Sequence, residues 1–273
     1  MAMVERVLPG LRMLAVAVGS LGGLSAGAYG LLNTQSKRAR TVIGVPKDRP
    51  FLADGVYLPD GTGPVARGAA LSFAVFGDSS AAGLGAESAD RLPGVRLARG
   101  LAEELGEPVR LVTHAVVGSR TTHLAAQVDA ALTDPPAVAL VLVGGNDVTA
   151  RLGIAESAAL LARQVDRLLA AGVAVVVGTC PDLGAIRPIP QPLREVARRY
   201  SLALARAQAR ALAGSGAVVV PMAALLTRHF VDRHAELFSP DRFHPNGAGY
   251  GLAADMLLAP LCAAAGLWEG RRS

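Results

Sequence analysis

Between Leu71 and Val220 five short apolar runs alternate with longer stretches of helical periodicity. The runs are Leu71–Phe76, Val109–Val116, Ala137–Val143, Val173–Gly178 and Ala217–Val220. They are near-continuous in Val and Leu rather than alternating with polar residues. Strands of that kind are covered on both faces, the signature of a parallel sheet. Helical patterns fill the gaps at Arg91–Leu105, Thr121–Leu132, Glu156–Ala171 and Leu193–Ala213, and another follows at Gly247–Ala264. This rhythm predicts an α/β protein: a three-layer α/β/α sandwich with a mainly parallel, about five-stranded sheet. A chain of 273 residues is long enough for one such domain. Aromatic residues make up only 4%, so Ala, Val and Leu must fill most of the core.

The polar clusters fall just after predicted strands. Gly77-Asp78-Ser79 follows the first run, Gly118-Ser119-Arg120 the second, and Gly144-Gly145-Asn146-Asp147 the third. Asp241-Arg242-Phe243-His244-Pro245-Asn246 precedes the last helix. Sites in parallel sheets form beyond the carboxyl ends of strands, so all four clusters are expected at one edge.

Four blocks in this order resemble those of the SGNH/GDSL hydrolase family, over about Leu71 to Ala264. The resemblance implies a flavodoxin-like SGNH hydrolase fold and a serine esterase or lipase-like acyl hydrolase. "GDSS" is similar to the family's first block, with Ser79 as nucleophile. The Gly118 segment is similar to the second, "GGND" to the third with Asn146, and "DRFHPN" to the last with Asp241 and His244. Two departures stand out. Ser80 occupies a position where the family often has Leu, which leaves it a rival nucleophile. The second block lacks the family's frequent Asn before the glycine.

The residue types also make chemical sense together. A serine hydroxyl needs a base to take its proton, and an imidazole such as that of His244 suits the task. Asp241 can accept the other ring N–H and fix the tautomer, with Asp147 the rival carboxylate. The backbone N–H groups of Ser79 and Gly118 and the amide of Asn146 can form an oxyanion hole, each donor contributing about 2.7–4 kcal/mol. Taken singly, each residue has a plainer reading: Ser79 as a helix N-cap, Asn146-Asp147 and Asp241 as turn residues, Gly118 as a backbone hinge, and His244 as a loop histidine. Asp182, in "TCPDLG" after the fourth run, is expected to line the pocket or to cap a turn.

Water as acceptor makes the protein a hydrolase, and a sugar hydroxyl makes it an acyltransferase. A nucleotide-binding protein is a different class. "GLGAES" begins like a dinucleotide fingerprint, but Ser88 stands where the third Gly or Ala should be. A catalytically silent, membrane-tethered binding module is the third class. No CxxC or metal-spaced His/Cys cluster occurs, Cys180 and Cys262 read as buried thiols, and His114, His123, His229 and His234 as structural or surface. No cofactor or metal is expected.

Met13–Leu32 carries no charge and is long enough to cross a bilayer as a helix. Ala26-Gly27-Ala28 also fits a signal cleavage site. Up to Pro50 there are seven basic residues against two acidic ones, which accounts for the whole net charge of +5. The body from residue 51 is therefore neutral, which argues against nucleic acid as a partner and for a membrane surface beside the apolar segment. Lys37, Arg38 and Arg40 behind the segment favour a cytoplasmic body if the anchor is retained, whereas cleavage near Ala28 exports it. The expected organisation is an anchor or signal over 1–32, an irregular linker over 33–70, the hydrolase-type domain over 71–265, and a tail over 266–273. Oligomeric state is not legible.

Overall fold

The five apolar runs form five parallel strands: β2 (Leu71–Gly77), β3 (Val109–Thr113), β4 (Val138–Leu142), β5 (Ala174–Gly178) and β6 (Val218–Val220). These come from a computed structural model that describes residues 27–39, 41–43, 49–66, 68 and 71–266. A sixth strand, β1 (Gly55–Tyr57), pairs antiparallel with β3 at the sheet edge, giving the order β1-β3-β2-β4-β5-β6. β1 lies inside the segment read as irregular linker, and makes six strands where about five were expected. Three residues are too few to show a period, so its pairing was invisible in the sequence.

The helices are α1 (residues 27–39), α2 (Pro93–Leu105), α3 (Leu124–Ala131), α4 (Gly145–Ala150), α5 (Ile154–Ala170), α6 (Leu193–Ala211), α7 (Met222–Asp232), α8 (His234–Leu237) and α9 (Gly247–Ala264). Phe73 and Val75 of β2 face one layer with α2, α7 and α9, whereas Ala74 and Phe76 face the other with α3 and α5. Both faces are buried, as the unbroken apolar runs required. α6 packs on α5 and carries a smaller cluster around Leu204, Cys180 and Ile186. α7 was missed in the sequence, although Met222, Leu226 and Phe230 recur every fourth residue and are all buried. By length and composition α9 is apolar enough to cross a membrane, but Tyr250, Leu257, Leu261 and Cys262 on it are sunk in the protein core.

Among the parallel strands β2 lies between β3 and β4. The chain runs from β2 to one side and then returns to the other, so a crevice opens where the carboxyl ends of β2 and β4 diverge. Gly77 is level with Leu142 across that junction. Its φ is +133°, and a Cβ there would stand 1.8 Å from the Leu142 carbonyl oxygen. Only glycine permits that approach.

Gly77→Ala should therefore lower the unfolding free energy by about 3 kcal/mol or more, adding overpacking to an unfavourable φ. Gly106→Ala meets open space at φ +72° and should cost about 1–2 kcal/mol. Urea unfolding of the two variants checks the difference; equal losses would mean the β2–β4 junction yields freely.

Candidate active site

Beyond Gly77 the chain folds into a turn over residues 78–85 before α2 begins at Pro93. Asp78 N–H donates to the Leu142 carbonyl at 3.2 Å, and Leu84 N–H to the Ser79 carbonyl at 2.9 Å. Asp78 Oδ1 accepts from Ser80 N–H at 2.9 Å. Ser79 is thus buried at the head of an irregular turn rather than capping a helix. A side chain from α3 locks the turn's base. The buried Gln127 amide accepts from Gly77 N–H at 2.8 Å, donates to Gly77 C=O at 2.9 Å, and reaches Ser119 Oγ at 3.2 Å.

The second loop comes from Asp241 to Asn246. Asn246 caps α9 by accepting from Ala248 and Gly249 N–H, both at 3.0 Å. Its own N–H groups hold Glu236 and Phe238 carbonyls at 2.8 and 3.2 Å. Asp241 Oδ1 gathers Ser239 Oγ–H, Phe243 N–H and His244 N–H at 2.7, 2.8 and 2.9 Å. The two loops meet without side-chain padding at Gly85, where a Cβ would lie 2.6 Å from the Pro245 carbonyl oxygen and 3.1 Å from His244 Cβ. Tyr250 of α9 adds a buried hydrogen bond of 2.6 Å to the Leu84 carbonyl.

This docking brings residues 165 positions apart into register: His244 Nε2 lies 3.0 Å from Ser79 Oγ. On the other side of the ring, Nδ1 lies 2.6 Å from Asp241 Oδ2. Burial works against ionising Asp241, but the hydrogen bonds from the His244 ring, Phe243, His244 N–H and Ser239 outweigh it, and its carboxyl is held well below the usual range. The rival groups are engaged elsewhere. Ser80 has its N–H on Asp78, and no hydrogen bond joins Ser80 to His244 among the described residues. Asp147 is fully buried, accepting from Thr121 N–H at 2.9 Å, from the Thr121 hydroxyl, and from Ser157 Oγ–H at 2.7 Å. It ties α4 to the segment after Gly118 rather than facing the imidazole.

Asn146 sits in the first turn of α4 and lines the same cavity as Ser79 and His244. One of its amide hydrogens goes to the Ser119 carbonyl at 3.0 Å; an amide has two. Gly118, next to Ser119, has φ +82° and open space around it. Neither its N–H nor that of Ser79 meets a protein acceptor among the described residues. Asp182 both caps the Leu183–Ala185 turn, accepting from Gly184 N–H at 2.7 Å, and lines the cavity. A second clamp had no counterpart in the sequence reading. Gln208 of α6 accepts from Cys180 N–H at 2.7 Å and donates to the Val143 carbonyl at 3.1 Å, joining the ends of β4 and β5. A glutamine on the apolar stripe of a helix was the available signal. His114 stacks on Phe76, His234 packs on Phe238, and both cysteines are buried. No metal-ligating cluster occurs among the described residues.

Residues 75–252 match the sequence model of the GDSL-like lipase/acylhydrolase family. Over 254 residues the chain is 46% identical to the GDSL-like esterase Rv1075c of Mycobacterium tuberculosis (strain ATCC 25618 / H37Rv), covering 90% of this chain and 81% of that one. The crystal structure of TesA superposes with a TM-score of 0.58 at 22% identity, over 71% of this chain and 99% of its own. That of Axe2, an acetylxylan esterase from Geobacillus stearothermophilus, gives 0.53 at 19% identity, over 71% and 95%. The two structural likenesses show a shared SGNH-type fold. The chain belongs to the GDSL-like lipase/acylhydrolase family. It is a carboxylic ester hydrolase.

Asp78 is the one acid here with the opposite electrostatics to Asp241. Burial pushes its carboxyl up to about 6, against the pull of Ser80 N–H and His244. The folded protein holds this proton to about pH 6, whereas an unfolded chain releases it near pH 4. Stability is therefore lost as pH rises through that window, by about 3 kcal/mol once above it. Asp78→Asn keeps an acceptor for Ser80 N–H without the charge. Its Tm should exceed the wild type's at pH 7.5 and match it at pH 4; a constant difference across pH would show that Asp78 is not held protonated.

Proposed function

We propose that the protein cleaves esters through an acyl-enzyme on Ser79, with His244 as general base and acid. The observation that carries this reading is the continuous relay from Ser79 Oγ through the His244 ring to Asp241, at 3.0 and 2.6 Å. His244 Nε2 takes the hydroxyl proton as Oγ attacks the ester carbonyl. The ionised Asp241 holds Nδ1–H and stabilises the imidazolium that forms. The tetrahedral oxyanion takes hydrogen bonds from the Ser79 N–H, the second amide hydrogen of Asn146, and the Gly118 N–H. Support for Gly118 is indirect: the Asn146–Ser119 hydrogen bond draws its segment against the third block. Collapse expels the alcohol, which leaves with the imidazolium proton. Water then gives a proton to His244 as it attacks the acyl carbonyl, and collapse breaks the bond to Ser79 Oγ, which takes that proton back as the carboxylic acid is released.

We further propose that the enzyme works at a membrane, on acyl esters of lipids or of the cell envelope. The support is the uncharged length of Met13–Leu32 and its basic flanks. Residues 13–26 of that segment lie outside the described residues. Its end, residues 27–32, belongs to α1, where Tyr29 and Leu31 are exposed. α1 is fastened to the body by Gln35, whose amide donates to the Gln191 carbonyl at 2.6 Å and accepts from Leu193 N–H at 3.0 Å.

Three experiments test this. A fluorophosphonate should form its adduct on Ser79, and Ser79→Ala should lose both the label and at least ~10⁴-fold in kcat. Asn146→Ala should lose about 10²–10³ in kcat with KM little changed. An adduct on Ser80, or no labelling at all, would overturn the assignment of Ser79. Separately, the full-length protein should stay in the membrane pellet through an alkaline carbonate wash. Recovery as a soluble protein with its N-terminus intact would reject the anchor.

A further inference from the structure

The cavity lined by Ser79, Asn146 and His244 has a volume of about 140 Å³ and continues as an apolar recess away from them. Its walls come from the end of β4 and from the faces of α7 and α9, through Leu142, Met222, Leu226, Phe230, Ala253 and Leu257. Gly178 at the end of β5 lines it as well. The polar side chains of the wall are turned to partners of their own. Asp182 takes Gly184 N–H at 2.7 Å and faces Arg198 Nε at 3.5 Å, and the Thr227 hydroxyl donates to the Ala223 carbonyl at 2.6 Å. Thr179 apart, what remains for a ligand is hydrocarbon. Such a lining desolvates an alkyl chain at no polar cost and offers little to the hydroxyls of a sugar.

An ester has two ends, and the two-step reaction treats them differently. The alcohol must depart before water enters, so it belongs on the open side. The acyl group stays on Ser79 through both steps, so a recess suits it. An apolar cavity of about 150 Å³ accommodates a six-carbon ring, which sets the scale for this one. We propose that the recess is an acyl site for a straight saturated chain of about six carbons, with Met222 and Ala253 setting its depth. The inference rests on the acyl-enzyme reading and deepens it: the preferred substrates are short-to-medium-chain acyl esters, ahead of acetylated glycans and of long-chain lipids.

The test is a chain-length series of p-nitrophenyl esters, run on the full-length protein. From acetate to hexanoate kcat/KM should rise about threefold to fourfold per methylene, as expected for burying each group. It should then level off, and fall at dodecanoate and beyond. Ala253→Leu adds carbon to the recess and should move the break toward butanoate. Met222→Ala enlarges it and should move the break to octanoate or longer. A flat wild-type profile, or a break unmoved in both variants, overturns the acyl site. A preference for hexyl acetate over ethyl hexanoate overturns the choice of the acyl end. Should Met222→Ala not fold, Ala253→Leu and the wild-type profile decide the matter. Mass spectrometry of the adduct left by an alkyl p-nitrophenyl phosphonate keeps the two readings apart. Labelling away from Ser79 removes the catalytic assignment. Labelling on Ser79 with no effect of chain length removes the acyl site alone.

Discussion

The backbone contact between Gly77 and Leu142 fixes where everything else can be. Two parallel strands end level with each other, and the absence of a side chain at Gly77 lets the first turn toward the second instead of away from it. Ser79 and Asn146 follow directly from those two strand ends, so their spacing is inherited from the sheet. Catalytic groups placed on loops need such a scaffold, because a displacement of about 1 Å can cost about 10²-fold in rate.

Buried amides and one buried carboxylate then stiffen the loops. Gln127 pairs with both main-chain groups of Gly77, Gln208 bridges the ends of β4 and β5, and Asp147 binds α4 to Thr121. Each satisfies buried backbone groups at a strand end or in a loop, where an unpaired one costs about 1–3 kcal/mol. They join the first, second and third blocks into one hydrogen-bonded network. The His244 loop is held differently, by the Asn246 cap, the Asp241 turn and the bare contact at Gly85.

Two aspartates near the proposed nucleophile live in opposite environments. Asp241 collects donors from its own loop and from the imidazole, and stays ionised. Asp78 is sealed in, with a single N–H on Oδ1, and burial favours its neutral form. Divergent settings of neighbouring acids are a recurring way to divide labour within a site. Here they leave one full negative charge in contact with the imidazole and hold off a second under the serine until the pH passes about 6.

The sequence by itself determined the layers. Unbroken Val and Leu runs can be satisfied only by strands covered on both sides, and the helical patterns between them supply the cover. It also determined that the polar blocks lie beyond strand ends, because in a parallel sheet those ends share one edge. The tertiary structure decided which strands are neighbours, since periodicity reports burial and says nothing of strand order. It set Asp241 against His244 and surrounded Asp147, an equally placed acid in one dimension, with Thr121 and Ser157. It revealed Gln127 and Gln208, which read as ordinary polar positions on helices until the backbone groups they serve were in place. The recess beside Ser79 is likewise a tertiary product: its walls come from β4, β5, α7 and α9, segments far apart in sequence, and only their packing leaves the space between them.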